Sequence, residues 1–266
     1  MYLKVNGFGI DYTLDGVRTG LPVLLIHGFP FSKEMWKPQI EILKEDYYVL
    51  SYDVRGHGAS DVGNGQYTIE YCVDDLIGLL DNLKIPQVVA VGLSMGGYIA
   101  LRAIERNPGR FKGLVLCDTR SEDDSNEVKI KRAVQARNVK IYGMRKFAAS
   151  FLPTILYDET LKNNSDAVEL LRKIMEKTSP DAVAGILIAL GGRTNTTRSL
   201  SNIKVPTLIM VGQYDELTPP SFSLSMKEKI PNSEMHLISN AAHISNLENA
   251  EEFNRYLLRF LEKIDR

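Results

Sequence analysis

The chain has 266 residues, 44% of them hydrophobic and 24% charged, a balance that supports a sizeable core and excludes disordered and fibrous classes. Lys and Arg total 32 against 33 Asp and Glu, a formal charge of -1, so no global field exists to hold a phosphate backbone and nucleic acid is set aside as the main partner. Two cysteines, Cys72 and Cys117, without C-x-x-C spacing exclude a disulfide framework and fit a reducing cytoplasm. The opening M-Y-L-K-V-N-G has no apolar run behind its charge, and no apolar stretch approaches the roughly 18 residues that span a bilayer. The sequence therefore predicts a cytoplasmic protein with neither an export signal nor a membrane span.

In chain order, Val5 and residues 7–13 predict an opening hairpin, and apolar strands follow at residues 22–26, 47–52, 87–91, 113–117, 207–211 and 234–239. The runs V-L-L-I, V-V-A-V and T-L-I-M-V are nearly continuous, as in parallel strands covered by helices on both faces. Between Thr68 and Lys84 the residues Ile69, Cys72, Val73, Leu76, Ile77, Leu80 and Leu83 form a helical apolar stripe, with Thr68 placed to cap its first turn. Ala250, Phe253, Leu257, Phe260, Leu261 and Ile264 repeat that pattern at the C-terminus. From about Ser121 to Arg198 the alternation stops, and amphipathic pieces at residues 128–142, 144–151, 167–177 and 180–190 predict an all-helical insertion. Such a length between strands suits a lid or substrate-shaping element better than a connection. No repeat or linker divides the chain, so the expectation is one α/β unit with a mostly parallel central sheet.

Residues 88–97 read V-V-A-V-G-L-S-M-G-G, a buried strand running into G-x-S-x-G and then into a helical stretch. A serine at such a turn is held in strained backbone with its hydroxyl exposed, and small residues at Gly92 and Gly96 let neighbouring backbone approach, which makes Ser94 the candidate nucleophile. A serine nucleophile needs a neutral imidazole as base, and the imidazole needs an acid to fix its tautomer. Of the four histidines, His243 lies in a loop between the last strand and the C-terminal helix and is the candidate base. His236 sits within that strand and reads as structural or surface. Asp215, in V-G-Q-Y-D-E-L-T-P-P just after a strand, is the candidate acid; Asp118, after another strand, competes with it, and Glu216 competes more weakly. Neither an H-E-x-x-H cluster nor a nucleotide-binding glycine fingerprint is present, so no metal or cofactor is implied.

These residues resemble the α/β-hydrolase superfamily along essentially the whole chain. H-G-F-P at His27 to Pro30 looks like its oxyanion loop, D-V-R-G-H-G-A-S at Asp53 to Ser60 like its glycine-rich turn, G-L-S-M-G-G like its nucleophile elbow and G-Q-Y-D-E-L-T-P like its acid loop. Within the superfamily the chain is most similar to the 3-oxoadipate enol-lactonase and carboxylesterase-like group. The resemblance implies an α/β-hydrolase fold with a core domain of residues 1–120 and 199–266 and a helical cap of residues 121–198, inserted before the last two strands. It also implies an oxyanion hole from the backbone N–H groups of Phe29 and Met95, with His27 bracing that loop and Arg55 and His57 bracing the adjacent turn. Asp53, Trp36 and Phe31 read as structural. Two positions depart from the pattern: Ala242 precedes His243 where relatives carry Gly, and Asn195 stands where relatives often carry Asp.

The reaction implied is cleavage of a small-molecule carboxylic ester or lactone through an acyl-enzyme, with Ser94, Asp215 and His243 as the catalytic triad. A homo-oligomer is allowed. Alternatives on the same scaffold are carbon–carbon bond hydrolysis or lyase chemistry, perhydrolysis favoured by Pro30 as in cofactor-free haloperoxidases, and a ligand receptor without turnover.

Overall fold

The computed structural model describes residues 1–265. Asn6 and Gly7 take φ values of 51° and 81°, the positive pair that a two-residue hairpin turn requires, and they join β1 (Tyr2–Val5) to β2 (Phe8–Gly16) in antiparallel register. β2 runs past Thr13, its expected end, because its second half pairs antiparallel with β4 (Tyr48–Tyr52), from Tyr12 opposite Tyr52 to Gly16 opposite Tyr48. That pairing spares L-D-G from needing an apolar face of its own.

The remaining strands are β3 (Pro22–Ile26), β5 (Val88–Leu93), β6 (Phe111–Cys117), β7 (Thr207–Gly212) and β8 (Ser233–Ile238), all parallel to their neighbours. The eight-stranded order is β1-β2-β4-β3-β5-β6-β7-β8, so the sheet is mostly parallel, as predicted. Every residue of β5 and β7 is buried, whereas β8, at the sheet edge, is mostly half-buried and leaves Leu237 exposed. A central strand needs apolar residues on both faces and an edge strand does not.

The helices are α1 (Lys37–Leu43), α2 (Ile69–Asn82), α3 (Met95–Arg106), α4 (Asn126–Phe151), α5 (Asp158–Asn163), α6 (Ser165–Lys177), α7 (Pro180–Gly191), α8 (Pro220–Lys229), α9 (Ser245–Glu248) and α10 (Ala250–Asp265). The hydroxyl of Thr68 accepts from the Tyr71 N–H at 3.1 Å and starts α2 where the sequence places its cap. α2 packs on α3, α1 packs on α10, and α3 and α10 lie against the sheet. α4 joins the two pieces predicted at residues 128–142 and 144–151, but its ladder breaks between them at Gly143, where φ is 78° and ψ is 173°. Among the described residues no helix is long and apolar enough to cross a membrane.

Helices α4 to α7 lie between β6 and β7, hence before the last two strands. The two ends of this insertion are fastened together: the Thr196 N–H donates to the Ser121 carbonyl at 2.9 Å, and the Ser121 and Thr197 hydroxyls lie 2.9 Å apart. Beside them the buried Asp124 accepts from Arg120 (2.6 Å) before α4 and Arg132 (2.5 Å) within α4, and forms an ion pair at 2.8 Å with Arg193 after α7. Asn195 donates to Asp123 at 2.8 Å, so the position that departs from relatives helps close the same stem.

The turn after β4 is tied to α2 by a second buried ion pair, in which Arg55 Nε and Nη2 donate to the two Asp75 oxygens at 2.6 and 2.7 Å. Removing one partner strands the other charge in the interior, at a cost of about 3–5 kcal/mol. Asp75→Ala is therefore expected to lower the unfolding free energy by that much in equilibrium urea unfolding, seen as a lower midpoint at an unchanged slope.

Candidate active site

β5 ends at Leu93 and α3 begins at Met95, so Ser94 alone carries the reversal, with φ 53° and ψ -112°. A non-glycine residue at positive φ is strained and persists only where its surroundings over-determine it. Here the Ser94 N–H donates to the Cys117 carbonyl at 2.9 Å, and the Thr119 hydroxyl donates to the Ser94 carbonyl at 2.8 Å. Glycines supply the clearance: a Cβ on Gly96 would lie 2.1 Å from the Ile26 carbonyl oxygen, and one on Gly92 would lie 2.4 Å from that of Gly96. β3 and α3 thus approach with no room for a methyl group.

The loop after β8 crosses the end of β7 so closely that a Cβ on Gly212 would sit 1.9 Å from the Ala242 carbonyl oxygen. This approach places His243 over the elbow, with Nε2 2.8 Å from Ser94 Oγ and Nδ1 2.8 Å from Asp215 Oδ2. Asp215 Oδ1 accepts from the N–H groups of Leu217 and Thr218, each at 2.9 Å, and Oδ2 also accepts from the Thr218 hydroxyl at 2.6 Å. The carboxylate is therefore locked by its own turn before it meets the imidazole.

Of the competing acids, Asp118 is brought close but turned elsewhere. It accepts from the Gly212 N–H at 2.8 Å and from the Ser245 hydroxyl at 2.5 Å, holding the loops that carry Asp215 and His243. Glu216 is exposed to solvent. Burial, with Asp215 adding to it, pushes the Asp118 carboxyl well above the usual carboxylate range. Burial also opposes charge on Asp215, but His243 and Thr218 overcome it and hold that carboxyl below the usual range. Burial likewise opposes charge on His243, and the adjoining Asp215 carboxylate overcomes it and raises the imidazole above its ordinary value.

Phe29 and Met95 line the same cavity as Ser94, and among the described residues neither backbone N–H has an acceptor. His27 accepts from the Val54 N–H through Nε2 at 2.9 Å, so Nδ1 carries the proton and donates to the Gly28 carbonyl at 2.9 Å, just before Phe29. His57 donates through Nδ1 to the Arg55 carbonyl at 3.2 Å, with its ring centroid 5.1 Å from that of His27. The Asp53 carboxylate accepts from the backbone N–H groups of Lys33 (2.8 Å) and Ala59 (2.9 Å), closing the glycine-rich turn. The Pro30 carbonyl receives the Thr178 hydroxyl at 3.4 Å. Trp36 and Phe31 are buried and do not line this cavity, and half-buried His236 stacks on Tyr256 at 3.9 Å.

The cavity measures about 240 Å³, and much of its wall comes from α4 and α7. Leu187, Leu190 and Phe151 give it an apolar side, and Arg120, Lys131 and Arg132 a cationic one. Asp124 takes hydrogen bonds from Arg120 and Arg132, while Lys131 has no salt bridge among the described residues. The Arg120 Nε atom is buried without a partner among the described residues. None of these lining residues carries a signal in the sequence, because their convergence depends on how α4 packs on α7. Thr218 does carry one, since Asp-x-x-Thr after a strand is the pattern of a side chain that bonds its own turn.

A central serine at a strained strand-to-helix turn, bonded to a histidine that is bonded to an aspartate, is an arrangement of the kind that serine hydrolases use. The chain matches the alpha/beta hydrolase family over residues 23–256 and belongs to it. It is 31% identical over 254 residues to 3-oxoadipate enol-lactonase 2 of Acinetobacter baylyi, covering 95% of this chain and 92% of that one. Among solved structures it is similar to a thermophilic esterase from Thermogutta terrifontis, with TM-score 0.95 and 34% identity over 100% of this chain and 99% of that one. It is also similar to the enol-lactonase from Burkholderia xenovorans, with TM-score 0.92 and 31% identity over 98% and 100% of the two chains.

The histidines are expected to separate by protonation. Burial pushes His27 down to about 4 and, with His27 beside it, His57 down to about 3, so both stay neutral above pH 5. His243 is expected to protonate with a midpoint above about 6.5, the ordinary imidazole value. A titration of the imidazole nitrogens by NMR checks all three.

Proposed function

We propose that this chain hydrolyses a carboxylic ester or lactone through an acyl-enzyme, with Ser94 as nucleophile, His243 as base and Asp215 as the acid that orients it. The observation that carries the reading is the continuous line from Ser94 Oγ to His243 Nε2 to Nδ1 to Asp215 Oδ2, with both intervals at 2.8 Å. As Ser94 Oγ attacks the carbonyl carbon, its proton passes to Nε2, and Asp215 stabilises the imidazolium. The N–H groups of Phe29 and Met95 receive the developing oxyanion, each donor lowering the barrier by about 3 kcal/mol. The imidazolium then gives its proton to the departing alkoxide, and a water molecule activated by His243 cleaves the acyl-enzyme. For a lactone the leaving oxygen stays tethered to the acyl chain, and the product is a single hydroxy or keto acid.

Residues 121–198 serve in this reading as a cap on a core of residues 1–120 and 199–266. The cap sets the size of the substrate through Leu187, Leu190 and Phe151 and its charge through Lys131 and Arg132, joined by Arg120 at its base. A lactone of a dicarboxylic acid keeps one free carboxylate, and a cationic wall beside Ser94 suits such a substrate. The names of the enol-lactonase relatives accord with that choice.

Ser94→Ala is expected to lower kcat by at least about a thousandfold. Asp215→Asn should cost about 10⁴-fold, because the imidazole loses its tautomer, whereas Asp118→Asn should cost far less, because Asp118 bonds Gly212 and Ser245 and not His243. The reverse ranking in steady-state ester hydrolysis would move the acid to Asp118. The base must be neutral, so kcat/KM should fall about tenfold per pH unit below the raised His243 value and level off above it. Lys131→Leu should raise KM for a carboxylate-bearing lactone about tenfold, as expected for a lost ion pair in a partly wet site, and leave KM for a neutral ester unchanged.

A further inference from the structure

Glu248, the last residue of α9, is half-buried, and its carboxylate takes four hydrogen bonds from two distant segments. Oε1 accepts from the backbone N–H groups of Ala242 at 2.9 Å and Ile244 at 3.1 Å, the residues on either side of His243. Oε2 accepts from the Tyr157 N–H at 2.7 Å and the Thr160 hydroxyl at 2.9 Å, where α5 begins within the helical insertion. The His243 N–H itself donates to the Ile155 carbonyl at 3.0 Å, just before α5. No cation pairs with this carboxylate among the described residues, so neutral donors alone hold it.

We infer that Glu248 is a positioning residue that fixes the His243 backbone to the cap, an inference that rests on the reading of His243 as the base. Helix capping accounts for one half of the arrangement. Ile244 is the N-cap of α9, and an acidic side chain reaching back to an N-cap N–H is common. Capping explains neither the bond to Ala242, outside the helix, nor the two bonds to α5. Together the four bonds clamp the peptide groups around His243, which sets where Nε2 and Nδ1 point, and tie that clamp to the first turn of α5. Displacing the cap pulls on the base through Oε2. The charge is specific: an ionised carboxylate offers acceptors on both oxygens, while a glutamine amide must present its NH₂ to one pair of donors.

The test compares wild type with Glu248→Ala, Glu248→Gln and Thr160→Val. Steady-state hydrolysis of p-nitrophenyl acetate is normalised to sites titrated with a fluorophosphonate, and the downfield proton shared by His243 Nδ1 and Asp215 is followed by NMR. Glu248→Ala is expected to lower kcat per titrated site by about ten- to a hundredfold, the usual penalty for misplacing a reacting group by a fraction of an ångström, with KM changed less than about threefold. The downfield proton should broaden or vanish. Glu248→Gln should recover part of both, and Thr160→Val, which removes one donor on the cap side, should cost less than Glu248→Gln. Should Glu248→Ala fail to fold, Glu248→Gln decides by the same two measurements. A kcat per site within twofold of wild type with an intact downfield proton, whatever the melting temperature, would overturn the inference. If His243→Ala retains full activity while the downfield proton still depends on Glu248, the positioning stands and the assignment of the base falls.

Discussion

The site depends on one close approach, that of the backbone after Ser94 to the end of β3. With Gly96 packed against the Ile26 carbonyl, the chain can turn from β5 into α3 across a single residue, and the strained φ of Ser94 is held by backbone and hydroxyl bonds from the β6 side. A larger residue at Gly96 would lift α3 away from β3. Met95 and Phe29 would then separate, because Met95 opens α3 and Phe29 lies in the loop that follows β3. Strain at Ser94 is thus sustained by dense packing around it.

The histidine and the aspartate arrive by a similar economy. Each hangs on the connection following a parallel strand, and each is settled by local hydrogen bonds before it meets the other: Asp215 by the N–H groups of its turn, His243 by bonds to its flanking peptides. Asp118 occupies the corresponding place after β6 and holds the other two loops through Gly212 and Ser245. Two carboxyl groups in one buried region are shifted in opposite directions, and the division follows their partners. Asp215 faces an imidazole that can become positive, and Asp118 faces neutral donors.

Much of this was legible in the sequence because the signals are local. Strand-then-G-x-S-x-G, a proline-bordered acid turn and a histidine between the last strand and helix each occupy a few residues, and the Thr68 cap and the long apolar runs placed most elements. The ends of elements were less legible: β2 runs on to Gly16 because β4 lies beside it, and the two predicted pieces of α4 meet at a glycine whose φ no neighbouring residue discloses. The sequence preferred Asp215 to Asp118, but both follow strands, and the tertiary structure is what shows Asp215 bonded to His243 and Asp118 turned to Gly212 and Ser245. The cavity wall was not legible. Lys131, Leu187 and Leu190 converge through the packing of one helix on another, and sequence periodicity tells which face of a helix is apolar without telling what that face meets.

The ends of the helical insertion meet within hydrogen-bonding distance, peptide against peptide at Ser121 and Thr196, with Asp124 buttoning both sides through guanidinium groups. The sheet therefore experiences those helices as a loop of almost zero span. A chain of any length that starts and finishes at those two points leaves β6 and β7 as neighbours and the Ser94 to Asp215 geometry undisturbed. Such a joint makes these helices an interchangeable part: successive ancestors or an engineer can refit them without retooling the sheet beneath, provided the replacement offers Glu248 the donors that Tyr157 and Thr160 now supply.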